Sequence, residues 1–395
     1  MITKELRDLL FKYEIEELAK TVNTCTYAFY YPVEKQKAIQ FDAIRKVFNF
    51  HYHQNEFYKS LCEANKFSPE DIVSYDDIHN IPLIPVDYFS DSRMEEIMTL
   101  PKSTKQVEFH VTGSNGVHTK AYRDSFTNEL AISSISSLFI EMLDNRFDAS
   151  PIVVYFTPPI VDAPNLGMLR GLGVLGAIYA DRFFVMNKNN DFRFKETEEF
   201  VNKWIDKLPI YFVGPPFIIN YYMEYLNANN RTHMFKSQDR VVTIGGWNKA
   251  NGELILKDAF VRKCMRSLNA GKEQCRDIYG FIETNKISIE CDQNLKHVPS
   301  HVHTYIMAAN GKGKCKDEGK EGTICVLDPT VLTYPCFLET KDIGLVSNSV
   351  NCKCGRSGAV IDVLGKKDKN YQMNCAITLD QYISGTTKKL NYGYH

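Results

Sequence analysis

No stretch of this sequence is apolar for long enough to span a bilayer, which excludes a membrane-spanning helix. Charge of neither sign prevails. The formal net charge is −1 and the pI lies near 6.8, so the electrostatic footprint of a nucleic-acid or anionic-membrane binder is missing. No secretory lead is expected either, because MITKELRDLL sets charges where an apolar run is needed. The eleven cysteines are odd in number and irregular in spacing, which argues against a disulfide framework and for reduced thiols, hence an expected cytoplasmic location. No internal repeat stands out. What is present is a 395-residue chain with 44% apolar residues, enough for a sizeable core in one large domain or in two to three ordinary ones.

Helical spacing of Leu6, Leu9, Leu10 and Tyr13, then of Ile44, Phe48 and Leu61, predicts helices within 3–20 and 36–65. NIPLIPVDYF (80–89) interrupts them, since two prolines three apart force an extended segment. From Lys105 short β runs (QVEFHV, PIVVYF, RFFVM, IYFV and RVVTIGG) alternate with amphipathic stretches near 125–143, 195–207 and 217–229. That alternation predicts an α/β fold with a largely parallel sheet. Beyond Lys286 the runs KISIEC, HVHTYIM and GTICVL predict a β-rich region, and GKGKCKDEGKEG (311–322) a solvated loop.

Thr112, Gly113, Ser114, Asn115 and Gly116 follow a strand. Such small residues let backbone N–H groups close on phosphate oxygens, although an ordinary strand-to-helix turn with Asp124 as cap fits as well. The Gly-Lys-Ser/Thr ending of a Walker A loop is absent. Gly171, Gly173 and Gly176 spell G-x-G-x-x-G, but neither a preceding strand nor a later acidic residue supports a dinucleotide site. Close helix packing or a pocket wall is expected there. Gly245 and Gly246 end a strand and can bare its backbone to a flat ring, or form a plain turn. Tyr279, Gly280 and Glu283 combine an aromatic face, a turn and a carboxylate fit for Mg2+, against the alternative of a buried Tyr beside a surface Glu. Asp342 sits at an expected turn, able to accept from ribose hydroxyls or from its own backbone. Cys352 and Cys354 suggest a tight hairpin, with no structural zinc expected from C-x-C spacing, even with His297, His301 and His303 upstream. Cys375, near Lys366, Lys367 and Lys369, is an acyl acceptor or a buried free cysteine.

The order TGSNG, GG, YGxxE, the Asp342 segment and GR resembles the motif order of adenylate-forming enzymes. Within them, IPLIP at 81–85, HVP at 297–299, YPCFLETKDIG at 334–344, CKCGRSG at 352–358, VLGK at 363–366 and NCAITLDQ at 374–381 are similar to the acyl-protein synthetase (LuxE-like) family. The resemblance implies an α/β fold with an adenylate-forming large domain over 1–355: a helical lead-in (1–95), an α/β core (100–285) and a β-rich subdomain (286–355). A short C-terminal segment, 356–395, would follow in place of a full lid. It also implies that ATP and Mg2+ activate a carboxylic, in first instance fatty, acid to acyl-AMP. Thr112 to Gly116 would cradle the phosphates, Gly245, Gly246, Tyr279 and Gly280 the adenine, Asp342 the ribose, Arg356 the ribose or hinge, and Glu283 the Mg2+. Lys366 would assist adenylation and Cys375 would carry the acyl group to a partner protein, a carrier or CoA. A phenylacetate–CoA-ligase-like enzyme and a non-catalytic binding subunit are the alternatives. The chain departs from the family pattern at Asn115, Ile282 and Asp362. The acyl pocket is expected from 155–186 and 211–225.

Overall fold

The computed structural model describes residues 3–90, 93–112, 118–143, 150–162, 167–178, 182–247, 254–308, 311, 313, 319–367, 379, 380 and 383. Helices α1 (Lys4–Lys12), α2 (Leu18–Asn23), α3 (Cys25–Ala28), α4 (Val33–Gln54) and α5 (Glu56–Ala64) form the lead-in. Asn55 both ends α4 and caps α5, its Oδ1 accepting from the Tyr58 amide at 2.8 Å, which satisfies one orphan donor of the first turn. The proline-interrupted segment is extended only at β1 (Ile84–Pro85) and then turns into a 3-10 helix.

Strands β2 (Val107–Thr112) and β3 (His118–Arg123) pair antiparallel, with Thr112 opposite His118. The TGSNG segment therefore joins two strands of a hairpin, and the expected strand-to-helix turn lies after β3. There Asp124 caps α6 (Ser125–Met142), its Oδ1 accepting from the amides of Phe126 and Thr127. The α/β alternation continues with β4 (Ile152–Tyr155), α7 (Gly167–Ile178), β5 (Arg182–Phe184), α8 (Phe194–Trp204), β6 (Ile210–Gly214), α9 (Pro216–Ala228), β7 (Arg240–Ile244), α10 (Lys257–Leu268) and β8 (Cys275–Gly280). The β-rich part comprises β9 (Ile287–Glu290), β10 (Lys296–His297), β11 (His303–Ile306), β12 (Gly322–Leu327), β13 (Phe337–Asn351) and β14 (Ser357–Lys366).

One sheet runs through both regions, in the order β11-β12-β13-β14-β10-β9-β8-β7-β6-β4-β5. Its β5-β4-β6-β7-β8 half is parallel, and the pairings from β8 to β11 are antiparallel. IVVY of β4 and IYFVG of β6 are buried at every position, as expected of parallel strands covered on both faces. Strand β14 pairs with β13 and β10, so the boundary expected at 355–356 falls inside a β-ribbon. The helical lead-in packs its apolar side on that ribbon, with Phe48, Tyr58 and Phe337 in mutual ring contact. No helix among the described residues is long and apolar enough to cross a membrane.

Candidate active site

The carboxyl ends of β4, β7 and β8 open into a cavity of about 1470 Å³ that the β13–β14 ribbon closes from the other side. Ligands of open α/β sheets bind outside the carboxyl ends of the strands. The volume exceeds the roughly 300–1,000 Å³ of ordinary small-molecule pockets.

Its polar wall gathers Gly245, Gly246, Tyr279, Gly280, Glu283, Asp342 and Lys366, residues far apart in the chain. Gly245 and Gly246 have φ of +96° and +103°, a region that side chains rarely tolerate. They turn the chain sharply at the end of β7 and leave bare backbone on the cavity. The Tyr279 hydroxyl donates to Asp342 Oδ2 at 2.8 Å, and Lys366 Nζ meets Asp342 Oδ1 at 2.7 Å. Asp342 is not at a turn: it lies within β13, in register with Lys366 of β14. The Lys-Asp-Ile-Gly sequence looks turn-like, yet pairing on the ribbon keeps it extended. Two strands thus hold the carboxylate and its cation rigidly together.

Burial pushes the Glu283 carboxyl up to about 7, with the backbone, Lys366 and Arg123 opposing and the Asp342 charge reinforcing the shift. Beneath Tyr279, the Lys286 Nζ is 4.6 Å from the ring centroid, without a hydrogen-bond acceptor among the described residues. Burial pulls this ammonium down to about 7 against the attraction of Asp328 and Asp342. Nothing in the sequence marks Lys286, because its burial follows from the pairing of the adjoining β9 inside the sheet.

Arg123, also unmarked in the sequence, locks the turn that carries Glu283. It donates to the carbonyls of Ile282 at 2.7 Å and Thr284 at 2.9 Å, and to Asn285 Oδ1 at 2.7 Å. Behind the paired glycines lies a further buried network. Lys296 Nζ meets Asp277 Oδ2 and Glu290 Oε1, each at 2.9 Å, and the Thr243 hydroxyl donates to Asp277 Oδ1 at 2.6 Å.

The opposite wall is mostly apolar. Ala131, Ile132 and Ile135 of α6 line it together with Tyr155, Leu172 and Phe184, and Asn128, Ser136, Arg170 and Arg182 add polar groups there. Tyr155 stacks on Phe184 at 5.0 Å and its hydroxyl donates to the Leu172 carbonyl. The expected acyl-pocket segment 155–186 contributes here. None of 211–225 does: Phe217, Ile218, Ile219, Tyr222 and Met223 of α9 are buried in the core behind the sheet. Helix α6 takes their place. Gly171 and Gly173 sit inside α7 on the cavity wall, and a Cβ on Gly173 would come within 2.7 Å of Ile160. A Cβ on Gly171 would meet nothing within 4 Å, so close packing accounts for Gly173 alone, and the helical setting rules out a nucleotide turn at this spacing.

Two expectations fare differently. Arg356 does not reach the cavity; its guanidinium is buried against Glu141, with Nε 2.9 Å from Oε1 and an N–H on the Glu141 carbonyl at 2.8 Å. The hairpin after Cys352 turns it toward the end of α6, at the far end of the ribbon from the Asp342–Lys366 pair, so Arg356 makes no ribose contact in this arrangement. Thr112 closes β2, whereas Gly113, Ser114, Asn115, Gly116 and Cys375 lie outside the described residues. Phe109, Thr119 and Arg123 of the same hairpin line the cavity, and Leu379, four residues after Cys375, is fully buried in the core shared with β4 and α6.

Comparison with known proteins agrees on family and fold. The acyl-protein synthetase family, LuxE, matches residues 9–384. The long-chain-fatty-acid–luciferin-component ligase of Aliivibrio fischeri is 25% identical over 378 residues, covering 95% of this chain and 96% of that protein. The ligase of the same name from Vibrio harveyi is 23% identical over 351 residues, covering 88% and 89%. Among solved structures, 2-hydroxyisobutyryl-CoA ligase in the postadenylation state superposes with a TM-score of 0.63 at 14% identity, over 84% of this chain and 68% of that one. Its open conformation gives 0.61 at 15% identity, over 83% and 74%. At such identities the likeness establishes the fold, that of adenylate-forming ligases.

Proposed function

Because this chain belongs to the acyl-protein synthetase (LuxE) family, we propose that its cavity joins a long-chain fatty acid to ATP and that Cys375 then takes the acyl group for delivery to a partner protein. The observation that carries this reading is the single cavity with a polar wall at the strand ends and an apolar wall on α6 and α7. A nucleotide suits the first, an acyl chain the second, and the acid's carboxylate then lies where the two meet.

In the first step a carboxylate oxygen attacks the α-phosphorus of ATP; the new P–O bond forms as the bond to pyrophosphate breaks, leaving acyl-AMP. Positioning and charge neutralisation carry such a step. Asp342 would hold the ribose hydroxyls while Tyr279 and Lys366 fix its carboxylate. Gly245 and Gly246 leave room for the adenine against the backbone. Glu283 supplies a hard oxygen donor suited to Mg2+, which typically takes one or two carboxylates besides substrate phosphates. When bound, Mg2+ would offset the charge on the phosphates. In the second step the Cys375 thiolate attacks the acyl carbonyl, a thioester forms, and AMP leaves with the electron pair of the broken C–O bond.

Cys375→Ser tests the second step. The variant is expected to keep acid-dependent ATP–pyrophosphate exchange and to lose the acyl adduct seen by intact-protein mass spectrometry. An adduct of undiminished amount would remove Cys375 from the mechanism. Release of acyl product by CoA at the same rate in both proteins would make the chain a CoA ligase.

A further inference from the structure

Away from the cavity, four metal-binding side chains converge from two hairpins. Cys291 follows β9 and His297 ends β10; Cys352 and Cys354 lie in the turn between β13 and β14. Their ligand atoms all fall within 4.8 Å of one another. The Cys291 and Cys352 sulfurs are 3.8 Å apart, and Cys354 Sγ is 3.5 Å from His297 Nε2.

These two separations match edges of a metal tetrahedron. With Zn–S near 2.3 Å and Zn–N near 2.0–2.1 Å, tetrahedral angles place two sulfurs about 3.8 Å apart and a sulfur and a nitrogen about 3.6 Å apart. A disulfide would need about 2.05 Å. We propose that Cys291, His297, Cys352 and Cys354 form a structural zinc site that pins the β13–β14 turn to the β9–β10 hairpin.

The surroundings fit the charge of such a centre. In each hairpin the amide two residues on donates to the first ligand: Gln293 to Cys291 Sγ at 3.4 Å, and Cys354 to Cys352 Sγ at 3.5 Å. N–H donors on sulfur stabilise a ligating thiolate. Three thiolates and one dication leave a charge of −1, and the Arg356 guanidinium interacts with Cys354 beside it. Gly355 takes φ +89° and its amide donates to the Cys352 carbonyl at 2.9 Å, which folds the turn so that both of its sulfurs face the hairpin. Cys291 and His297 are fully buried and Cys352 is nearly so.

A set of four protein ligands with no position left for water belongs to a structural site, not a catalytic one. None of the four lines the cavity. The reach of the site is mechanical: Arg356, next to Cys354, holds Glu141 near the end of α6, and α6 is the helix that forms the apolar wall. The C-x-C spacing alone gave no reason to expect zinc, because the other two ligands lie about sixty residues upstream and reach the turn only through the pairing of β10 with β14.

The test is the metal content of the full-length protein purified without chelators, and it is independent of acid activation. Elemental analysis is expected to give about one zinc per chain. Cys352→Ser combined with Cys354→Ser should fall to a tenth or less of that, since ligand loss weakens such sites at least about ten- to a hundredfold; Cys62→Ser, in the helical lead-in, should retain it. If the double variant does not fold, cobalt exchanged into the wild-type protein supplies the second reading: thiolate-to-cobalt charge transfer with tetrahedral d–d bands. Zinc retained in the folded double variant, a reduced wild-type protein without zinc that gives no such cobalt spectrum, or a Cys291–Cys352 disulfide in the protein as purified would overturn the site.

Discussion

Arg123→Met is expected to destabilise the protein by about 4 kcal/mol, because each buried polar group left unpaired costs roughly 1–3 kcal/mol. The side chain is 1% exposed. Its guanidinium serves the carbonyls of Ile282 and Thr284, the Asn285 side chain, the Tyr122 carbonyl and the Tyr334 hydroxyl. Methionine fills similar volume but donates nothing, so the 282–285 turn loses its frame. Against a typical total of about 5–15 kcal/mol, the loss takes away between about a quarter and most of the stability. Arg123→Lys should recover little, since one ammonium cannot serve a planar fork of acceptors. Urea unfolding measures this directly, and a loss below about 1 kcal/mol would mean that the turn is held from elsewhere. Glu283 sits in that turn, so partly folded variants should lose exchange activity before they lose secondary structure.

Asp342→Ala should reduce kcat/KM for ATP in acid-dependent exchange by about a hundred- to a thousandfold, the usual scale for removing one group that fixes a reacting substrate. Asp342→Asn separates charge from position. It keeps an acceptor for the Tyr279 hydroxyl but loses the ion pair with Lys366. If the pair acts as a unit, Asp342→Ala combined with Lys366→Ala should be little worse than either change alone, the signature of coupled groups. Independent, additive losses would show that Lys366 acts on the substrate without Asp342. A loss below about threefold for Asp342→Ala would take the ribose role away from it.

Much of this architecture was legible because the relevant signals are local. The apolar runs of β4, β6 and β7 read as buried parallel strands, and the amphipathic stretches of α6, α8 and α9 read as helices. The motif order pointed to one nucleotide site, and Gly245, Gly246, Tyr279, Glu283, Asp342 and Lys366 do share one wall. What was not legible depends on pairing across the chain. Asp342 looked like a turn residue until β14 lay beside it. Arg356 looked like part of the site, but the hairpin turns it to Glu141. Helix α7 carries glycines that oppose helix formation, and its stability comes from packing, Gly167 admitting Ile282 so closely that a Cβ would meet its methyl at 2.2 Å. That contact also explains an aliphatic residue at position 282. Helix α10 was not anticipated, although its run is amphipathic and Asn269, which ends it in the left-handed conformation, is a common stop residue.

The central claim is that one cavity activates a fatty acid with ATP, and pyrophosphate release from Mg-ATP by the purified protein tests it most directly. The account predicts release only when an acid is present, faster with long aliphatic chains than with short or aromatic ones, because the apolar wall of α6 and α7 rewards chain length. ATP binding without release, whatever acid is supplied, would contradict it.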